Sequence, residues 1–236
     1  MAHGSVNSRA AAVASLAVIS PHLDDAVMGC GELIARYPGS TVITVCAGMP
    51  ESSGLLTPWD ARCGFRSSRE AMLARRSEDR AAVRRLAAEP VHLSALDGQY
   101  GEPLNGESIL ADLEDRCGDR VVVGPLGLFH ADHERVGEVF RALCHRRSGR
   151  RCLVYAEALY RSVDGGATVH DARRAWATDG LALRPLQLRR TEAARNAKRQ
   201  AVGCYQSQNQ ALRQAWPAEH LDVNEPEWLF AVSPVR

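Results

Sequence analysis

Two short clusters of histidine and aspartate residues are the groups in this 236-residue chain best suited to chemistry. Residues 22–25 read HLDD and residues 130–133 read HADH, so the outer residues of each cluster are three positions apart. Side chains at that spacing face the same side of a helical turn. Imidazole and carboxylate groups suit zinc, and a catalytic zinc takes three protein ligands and leaves one position for water. Together the clusters predict a metal site with residues left over for proton transfer.

The elements around the clusters predict that both lie at one rim of a sheet. Apolar runs at residues 16–20 and 121–124 each predict a buried strand before a cluster, and helical patterns follow at 26–37 and after His133. In open α/β sheets, ligands bind at the carboxyl ends of the strands, where the following helices begin. Further strands are predicted at 41–46, 91–94, 152–156 and 228–232, with helices at 67–88, 107–116 and 192–205.

This alternation of strands and helices predicts a single-domain, three-layer α/β sandwich with a Rossmann-like, mainly parallel sheet. The nine N-terminal residues are polar and are predicted to be flexible, which leaves residues 10–236 as one domain. The polar segment 48–65 is too long for an ordinary connection and is predicted to be a substrate loop.

Each cluster also has a purely structural interpretation. Asp24 and Asp25 can cap a helix N-terminus, where carboxylates meet free N–H groups, and for either aspartate alone that interpretation is favoured. His130 and His133 can be ordinary loop histidines. The joint occurrence of both clusters, each directly after a strand, favours the metal site.

With these motifs the chain resembles the PIG-L or LmbE-like deacetylases, which carry a His-Pro-Asp-Asp-Glu-type motif near the N-terminus and a His-x-Asp-His motif later. The resemblance implies that His22, Asp25 and His133 bind zinc and that Asp24 is the general base for the attacking water. It also implies that His130 acts on the opposite side of the carbonyl. There a protonated imidazole can stabilise the oxyanion and donate a proton to the leaving amine.

Asp132 is the remaining polar residue of the second cluster, and it is expected to orient His130 and raise its pKa, or to serve only as a structural anchor. The chain departs from the family's more common motif sequences at Leu23 and Ala131, where proline is usual, and at Ala26, where glutamate is frequent. None of the three is a proposed ligand or proton carrier. The departures therefore leave the hydrolytic chemistry in place and weaken only the substrate assignment.

Five further residues are candidates for substrate binding. Arg76, in the predicted helix 67–88, can hold sugar hydroxyls, although a solvated charge cluster is the more ordinary interpretation. Tyr100 and Tyr155 can line the pocket with an apolar face and a polar tip, and ordinary packing is equally consistent. Trp59 and Phe65, in the segment 48–65, can stack on a sugar ring or cover an acyl chain, or can simply anchor the loop.

Composition excludes several partner classes. The formal charge is +1 and the basic residues are spread along the chain, which argues against nucleic acid and membrane surfaces as partners. Apolar runs are shorter than the ~20 residues that span a bilayer. Seven cysteines without a Cys-x-x-Cys pair indicate reduced thiols in a cytoplasm. These features favour a small-molecule substrate and do not specify an oligomeric state.

The sequence-based hypothesis is a zinc-dependent hydrolase that removes an N-acetyl group from an amino sugar, in thiol-cofactor or antibiotic-type biosynthesis. Fe²⁺ can replace zinc, because histidine and carboxylate suit both. One alternative is an amidase or deacylase for a longer acyl chain or a thiol conjugate. Another is a non-catalytic sugar- or nucleotide-binding module, since a fold alone does not determine function. A dinucleotide-binding oxidoreductase and a serine hydrolase are disfavoured, because neither G-x-G-x-x-G after the first strand nor G-x-S-x-G occurs.

Overall fold

The computed structural model describes residues 15–51, 54–101, 103–147, 149–215 and 225–235, so the predicted flexibility of residues 1–9 lies outside the described part. Within these residues a single seven-stranded sheet forms the centre of the molecule. Its strands are β1 (Leu16–Ser20), β2 (Thr41–Thr44), β3 (Glu89–His92), β4 (Val121–Pro125), β5 (Cys152–Tyr155), β6 (Leu181–Leu186) and β7 (Leu229–Pro234).

Eight helices connect these strands in the described residues. Several begin where a side chain caps the first turn; at α3, for example, Ser67 Oγ accepts a hydrogen bond from the N–H of Glu70. The helices are α1 (Asp25–Ala35), α2 (Pro58–Arg62), α3 (Ser68–Arg85), α4 (Gly106–Cys117), α5 (Ala131–Arg146), α6 (Ala167–Thr178), α7 (Glu192–Val202) and α8 (Gln206–Ala215).

The order of strands across the sheet is β3-β2-β1-β4-β5-β7-β6. Strands β1 to β5 are parallel, whereas β7 runs antiparallel to both β5 and β6. The chain leaves β1 toward β3 on one side and then returns to place β4 on the other side of β1. The carboxyl ends of β1 and β4 therefore flank the point at which the strand order reverses, where such sheets bind ligands.

Alternate residues of each strand build two separate hydrophobic layers. Ala17 and Ile19 of β1 pack in a cluster with α4, α5 and α6, whereas Leu16 and Val18 pack with α1, α3, α7 and α8. Both faces of the sheet are thus covered, as a parallel sheet requires. The predicted three-layer α/β sandwich with a mainly parallel sheet is confirmed.

The structure also contains elements that the sequence patterns did not indicate. Helix α2 lies inside the segment 48–65, so this segment is partly helical. Helix α6 and strand β6 follow β5, and α8 follows α7. Their signals are weak because β6 is an edge strand with an exposed second half and α8 has only ten residues.

All seven cysteines lie in the described part of the chain and carry free thiols. Cys144 and Cys152 hydrogen-bond to each other, which lowers the pKa of Cys152 and adds to the burial that raises the pKa of Cys144. Among the described helices, none combines the length and the apolar character needed to cross a bilayer.

The contact between β4 and α5 leads to a prediction about stability. A Cβ atom added at Gly124 would lie well inside the van der Waals contact distance of the buried Phe140 ring. We expect Gly124→Ala to lower the free energy of unfolding by about 1–3 kcal/mol, because the packed core cannot absorb the extra atom. Chemical denaturation measures this loss.

A second substitution tests whether Phe140 is the cause. Combined with Phe140→Leu, Gly124→Ala should cost less than the sum of the two single losses, because the smaller side chain makes room. Gly54→Ala is the matched control, since a Cβ there has no neighbour within 4 Å. Strict additivity of the pair would contradict the proposed clash.

Candidate metal centre

The turn after β1 is fixed by hydrogen bonds that leave His22 and Asp25 little freedom. Ser20 Oγ donates to the carbonyl of His22 at 2.7 Å and accepts from the N–H of Ala26 at 3.0 Å. The N–H of His22 donates to Oδ2 of Asp25 at 2.8 Å. Because these buried polar groups are paired, the turn presents both side chains in one defined orientation.

Hydrogen bonds also fix the turn after β4, and here the acceptor is a carboxylate that follows the neighbouring strand β5. Glu157, just beyond β5, accepts hydrogen bonds from the N–H groups of Gly127 and Leu128 on one carboxylate oxygen, at 2.9 and 3.1 Å. His130 then caps α5, with its Nδ1 accepting from the N–H of Asp132 at 3.2 Å. His133 therefore lies in the first turn of α5 and faces the end of β1.

Three side-chain atoms from the two turns form a compact triangle. His22 Nδ1 is 3.0 Å from His133 Nε2 and 3.3 Å from Asp25 Oδ2, and His133 Nε2 is 3.0 Å from Asp25 Oδ2. All three side chains are buried. The structure thus brings together the three residues that the sequence predicts as metal ligands.

The triangle has the dimensions that a zinc site requires. With bonds of roughly 2.0–2.2 Å to four tetrahedral ligands, neighbouring ligand atoms are about 3.3–3.6 Å apart, so the separations of 3.0–3.3 Å seen here need to widen only slightly. The described residues contain one other group that could hold a metal ion, formed by His22, His130 and Asp132, whose ligand atoms lie within 4.8 Å of one another. That group includes the exposed His130 and shares His22 with the triangle.

The carboxylate of Asp132 hydrogen-bonds to His22, whereas only the backbone N–H of Asp132 bonds to His130. The expectation that this carboxylate orients His130 therefore differs from the geometry. Oδ2 of Asp132 is 2.9 Å from His22 Nε2 and also accepts from the N–H of Gly98 at 2.9 Å. The same oxygen is 3.8 Å from His130 Nδ1, too far for a hydrogen bond. A carboxylate on the outer nitrogen of a histidine fixes the ring and its tautomer, which is the usual second partner of a metal-binding imidazole.

His130 is 43% exposed, and its position lowers the pKa of its imidazole instead of raising it. Burial is the largest cause, followed by the charges of His22 and His133. Its Nδ1 already accepts a hydrogen bond at the N-terminus of α5, where the helix dipole also disfavours a positive charge. The imidazole is therefore held as a neutral ring with Nε2 as its hydrogen-bond donor.

His133 has a second acidic neighbour. Oε1 of the buried Glu157 is 3.6 Å from His133 Nδ1, beyond hydrogen-bond distance, and this Nδ1 has no partner among the described residues. Burial raises the pKa of Glu157 to about 7. A small movement of either side chain brings the two atoms into hydrogen-bond distance.

Asp24 occupies the N-cap position of α1, yet its carboxylate makes no capping hydrogen bond. Helix capping by the side chain, the purely structural interpretation of Asp24, therefore does not occur at this turn. Its side chain lines the cavity above the triangle, where burial and the neighbouring charge of Asp25 raise its pKa to about 7. A cation bound at the triangle would oppose that shift and favour the carboxylate.

His22 and Asp25, the two members of the triangle that come from the first cluster, have pKa values shifted in opposite directions. Burial lowers the pKa of His22, but Asp97, Asp132 and Asp25 outweigh burial and raise it well above the ordinary value. Burial raises the pKa of Asp25, but His133 and His22 outweigh it and hold the pKa well below the usual range. The centre is thus a closely balanced group of buried charges.

A cavity of about 320 Å³ opens onto the triangle. One part of its wall is polar and the other carries aromatic and aliphatic side chains. The described lining residues are His22, Asp24, Asp25, Trp59, Arg75, Asp97, Gln99, Phe129, His130, His133, Leu159, Tyr160, Gln208 and Leu212.

Of the five predicted substrate-binding residues, Trp59 alone belongs to this described wall. Its indole N–H donates to Gln208 Oε1 at 3.0 Å, so it also joins α2 to α8. Phe65 lies three residues after α2 and outside the wall, and its N–H donates to the carbonyl of Asp60. Tyr100 donates its hydroxyl to Asp60 at 2.8 Å and packs in a small core cluster.

Tyr155 and Arg76 are placed elsewhere as well. Tyr155 is fully buried, donates to the carbonyl of Ile19 and packs against Gly29, where a Cβ would leave its ring no space. Arg76 donates to Nδ1 of His92 at 3.2 Å. Consecutive helix residues face directions about 100° apart, so the arginine that lines the cavity is Arg75.

Arg75 and Asp97 form a buried ion pair that sequence reasoning missed. Arg75 Nη1 donates to Asp97 Oδ2 at 3.1 Å, and both side chains are less than a tenth exposed. Gln99 donates two further hydrogen bonds to the Asp97 carboxylate. Burial raises the pKa of Asp97, but His22, Arg75 and Gln99 together lower it to about 2.

Phe129 and Tyr160 form the aromatic side of the cavity. Their rings are stacked, with centroids 5.2 Å apart and planes 16° apart, and Tyr160 meets the ring of His133 edge-on at 5.3 Å. Phe129 is 62% exposed and has a φ of +66°, in the left-handed region. Phe129 was not among the predicted site residues. Its position directly before His130 is the one sequence feature that could have indicated it.

Comparison with known proteins places this site in a family. The model of the PIG-L family, GlcNAc-PI de-N-acetylase, matches residues 17–144, more than half of the chain. The chain therefore belongs to the PIG-L family, as its motifs predicted, and its enzyme class is that of the deacetylases. No curated protein sequence matches it significantly.

Solved structures share the fold along nearly the whole chain. The zinc-inhibited form of teicoplanin deacetylase Orf2 is 20% identical, with a TM-score of 0.74, and 94% of this chain and 98% of that chain are covered. The A40926 pseudoaglycone deacetylase Dbv21 is 25% identical, with a TM-score of 0.70 and coverage of 94% and 96%. The N,N'-diacetylchitobiose deacetylase of Pyrococcus horikoshii is 15% identical, with a TM-score of 0.55 and coverage of 94% and 84%.

The buried ion pair leads to a prediction. We expect Asp97→Ala to lower the free energy of unfolding by about 3–5 kcal/mol, because it leaves the Arg75 guanidinium buried without its counter-charge. Glu114→Ala is the control, since its pair with Arg146 is exposed, and it should cost at most about 1 kcal/mol. Equal losses measured by urea denaturation would contradict a special role for the buried pair.

The pH dependence of this contribution follows from the depressed pKa of Asp97. An unfolded aspartic acid titrates near pH ~3.9, whereas Asp97 titrates at about 2 in the folded chain. Its contribution to stability is therefore complete above the unfolded pKa and is lost as the pH falls toward 2. The difference in unfolding free energy between wild type and Asp97→Asn should shrink across that window; a difference that grows on acidification would refute the sign.

Proposed function

We propose that this chain is a zinc-dependent hydrolase that removes the N-acetyl group of an amino sugar, with His22, Asp25 and His133 as the metal ligands. The observation that carries the proposal is the triangle of two imidazole nitrogens and one carboxylate oxygen, 3.0–3.3 Å apart, at the strand-order reversal. Asp132 on the outer nitrogen of His22 supports a ligand role for that ring.

The donor set supports zinc, and Fe²⁺ remains chemically compatible because imidazole and carboxylate suit both ions. Three protein ligands leave a coordination position open, as catalytic zinc sites do. Zinc bound there supplies Lewis acidity, which lowers the pKa of water and polarises an amide carbonyl. The chain's own residues then position the amide and move the protons.

Asp24 is proposed as the general base. It borders the cavity beside the ligand Asp25, and its carboxylate makes no capping bond to the helix. A carboxylate held there without a competing donor can take a proton from water and pass it toward the amide nitrogen. Its role as an N-cap is limited to its backbone carbonyl, which accepts from the N–H of Met28.

His130 is proposed to stabilise the carbonyl oxygen of the amide. Its ring borders the cavity, with its centroid 5.0 Å from that of His22 and 5.5 Å from that of His133. Because Nδ1 accepts the N–H of Asp132, Nε2 carries the proton and can donate a hydrogen bond to the developing negative charge. A neutral imidazole can fill this role, and the lowered pKa of His130 favours the neutral form.

The substrate is proposed to be an N-acetylglucosamine-type small molecule or glycoconjugate, handled in the cytoplasm during antibiotic-type or thiol-cofactor biosynthesis. The family's GlcNAc-PI de-N-acetylase description and the teicoplanin and A40926 deacetylases among the structural neighbours support this class. A cavity of about 320 Å³ accommodates a sugar with a short acyl group. Its apolar wall also favours one second candidate, an amidase for a longer acyl chain.

The test combines metal analysis with product release. The purified protein is assayed for zinc and iron, and acid release is measured from matched acetyl and long-acyl glucosamine derivatives, with and without a chelator. About one metal ion per chain with chelator-sensitive acetate release supports the proposal. Release of long-chain acids in preference to acetate replaces it with the amidase, and full activity without any bound metal overturns the ligand assignment.

Two substitutions separate metal binding from proton transfer. We expect Asp24→Asn to keep the metal and to lose about 10²–10⁴-fold in kcat, because the base is lost while the triangle stays intact. His133→Ala should lose metal and activity together. Metal content by elemental analysis and turnover are measured on the same samples, and substantial turnover in Asp24→Asn would rule out the base assignment.

The contact between Asp132 and His22 leads to a further prediction. Asp132→Asn should weaken metal affinity by about 10–100-fold, because the amide orients the His22 ring less strongly than the carboxylate does. Competition with a fluorescent chelator measures the affinity. Glu138→Gln is the control, since Glu138 lies on the same helix and pairs with Arg135 at the surface. Affinity unchanged in Asp132→Asn would show that the contact does not support the metal.

A further inference from the structure

The imidazole of His133 has one nitrogen in the triangle and one outside it. Nε2 lies 3.0 Å from both His22 Nδ1 and Asp25 Oδ2, so Nε2 is the atom that faces a metal. Nδ1, on the other side of the ring, is buried and has no hydrogen-bond partner among the residues that the structure describes. A neutral ring that binds a metal through Nε2 carries its proton on Nδ1, and a buried N–H group without an acceptor is costly. His133 therefore needs an acceptor at Nδ1.

The carboxylate of Glu157 is placed to be that acceptor. Its Oε1 is 3.6 Å from His133 Nδ1, and its Oε2 is buried and also lacks a partner within the described part of the chain. Both side chains are only 1% exposed, so bulk water does not reach the gap between them. A shift of about 0.5 Å brings the donor and the acceptor within hydrogen-bond distance. One small movement thus satisfies two buried polar groups at once.

Backbone contacts hold Glu157 in this place. Its Oε1 accepts hydrogen bonds from the N–H groups of Gly127 and Leu128, at 2.9 and 3.1 Å. The same turn packs closely on the start of α5, since a Cβ atom at Gly127 would lie 3.1 Å from the carbonyl oxygen of His133. The carboxylate is therefore fixed relative to the helical turn that carries His133, before any metal binds.

The other histidine of the triangle already has an arrangement of this kind. Asp132 accepts the N–H of Gly98 and lies 2.9 Å from Nε2 of His22, the nitrogen outside the triangle. Both imidazoles thus face a buried carboxylate on their outer side, and both carboxylates are tied to the backbone of a neighbouring turn. Carboxylates in such positions fix the tautomer and the orientation of a metal-binding histidine.

We propose that Glu157 is a positioning residue of the metal centre, which accepts the Nδ1 proton of His133 when the triangle holds a metal and keeps Nε2 directed at the ion. The inference rests on the proposed function, in which His133 is a ligand. It extends the centre beyond residues 17–144, the part of the chain that the family model matches. Removal of a carboxylate with this role weakens metal binding by about 10–100-fold.

The experiment measures zinc affinity by competition with a fluorescent chelator in the wild type and in Glu157→Gln. The glutamine keeps the shape of the side chain, and its amide oxygen can still accept from Gly127 and Leu128. The metal-free variant should therefore unfold at a denaturant concentration close to that of the wild type. Its zinc affinity should fall by about 10–100-fold, because an amide oxygen is a weaker acceptor than a carboxylate. Unchanged zinc affinity overturns the proposal.

Glu78→Gln is the matched control. Glu78 is a partly buried carboxylate that accepts from the N–H and the hydroxyl of Ser207, and it lies outside the described cavity wall. The substitution removes the same charge while keeping the shape of the side chain, and it should leave zinc affinity unchanged. An equal loss of affinity in Glu78→Gln would mean that the effect comes from net charge, which also refutes a positioning role for Glu157.

A spectroscopic measurement follows the His133 ring itself. In the zinc-loaded protein with isotope-labelled histidine, the Nδ1 proton of His133 should give a downfield NMR signal that exchanges slowly with water, because a buried carboxylate holds it. Glu157→Gln should move this signal upfield, whereas Glu78→Gln should leave it in place. A zinc-loaded His133 that carries its proton on Nε2, or an Nδ1 signal that Glu157→Gln does not move, contradicts the proposal.

Neither measurement needs turnover, so failure of this inference and failure of the proposed function can be told apart. If acetate is released but zinc affinity and the His133 signal are the same in Glu157→Gln, the positioning role fails and the deacetylase stands. If acetate is released from none of the amino sugars while Glu157→Gln weakens zinc binding and moves the signal, the proposed reaction fails and the positioning role stands. A wild type that binds no zinc refutes both.

Discussion

The parallel pairing of β1 with β4 is the constraint on which the rest of the site depends. Residues 16–18 lie in register with residues 121–123, so two segments more than a hundred residues apart in the chain end at the same level of the sheet. Hydrophobic layers on both faces hold this register, because a slip by one residue would move every side chain of the strand from one layer into the other. The polar turns that follow β1 and β4 therefore meet at one point.

Burial of so many ionisable groups at one point is costly, and the chain offsets the cost in two ways. Asp132 and Glu157 accept backbone N–H groups as well as facing a histidine of the triangle. Asp97 takes its bonds from Arg75 and Gln99. Asp25 likewise accepts the N–H of His22 and faces both histidines of the triangle. Burial and the charge of Asp25 raise the pKa of Asp24, and a cation at the triangle would relieve that charge conflict.

The sequence predicted those features that depend on short-range spacing. An i to i+3 separation was enough to place His22 with Asp25, and apolar runs located strands β1 and β4. The sequence pattern locates helix α3 but not which of its residues face the cavity. An error of one residue, about 100° around the helix, is enough to favour Arg76 as the substrate-binding residue in place of Arg75. Sequence proximity pairs the Asp132 carboxylate with His130, whereas this carboxylate hydrogen-bonds to His22, 110 positions away. Gln208 and Leu212 reach the cavity through the packing of α8, which leaves no local pattern.

The boundary of the family match divides the cavity. The three proposed ligands, the neighbouring Asp132 and Phe129 fall within residues 17–144. The far wall lies beyond that range, at Leu159, Tyr160, Gln208 and Leu212. The proposed metal centre and the far wall of the cavity are thus encoded in consecutive stretches of the gene. Substitutions and insertions in the later stretch can therefore reshape the cavity wall without moving a proposed metal ligand, so one hydrolase scaffold can acquire new substrates while its metal centre stays the same.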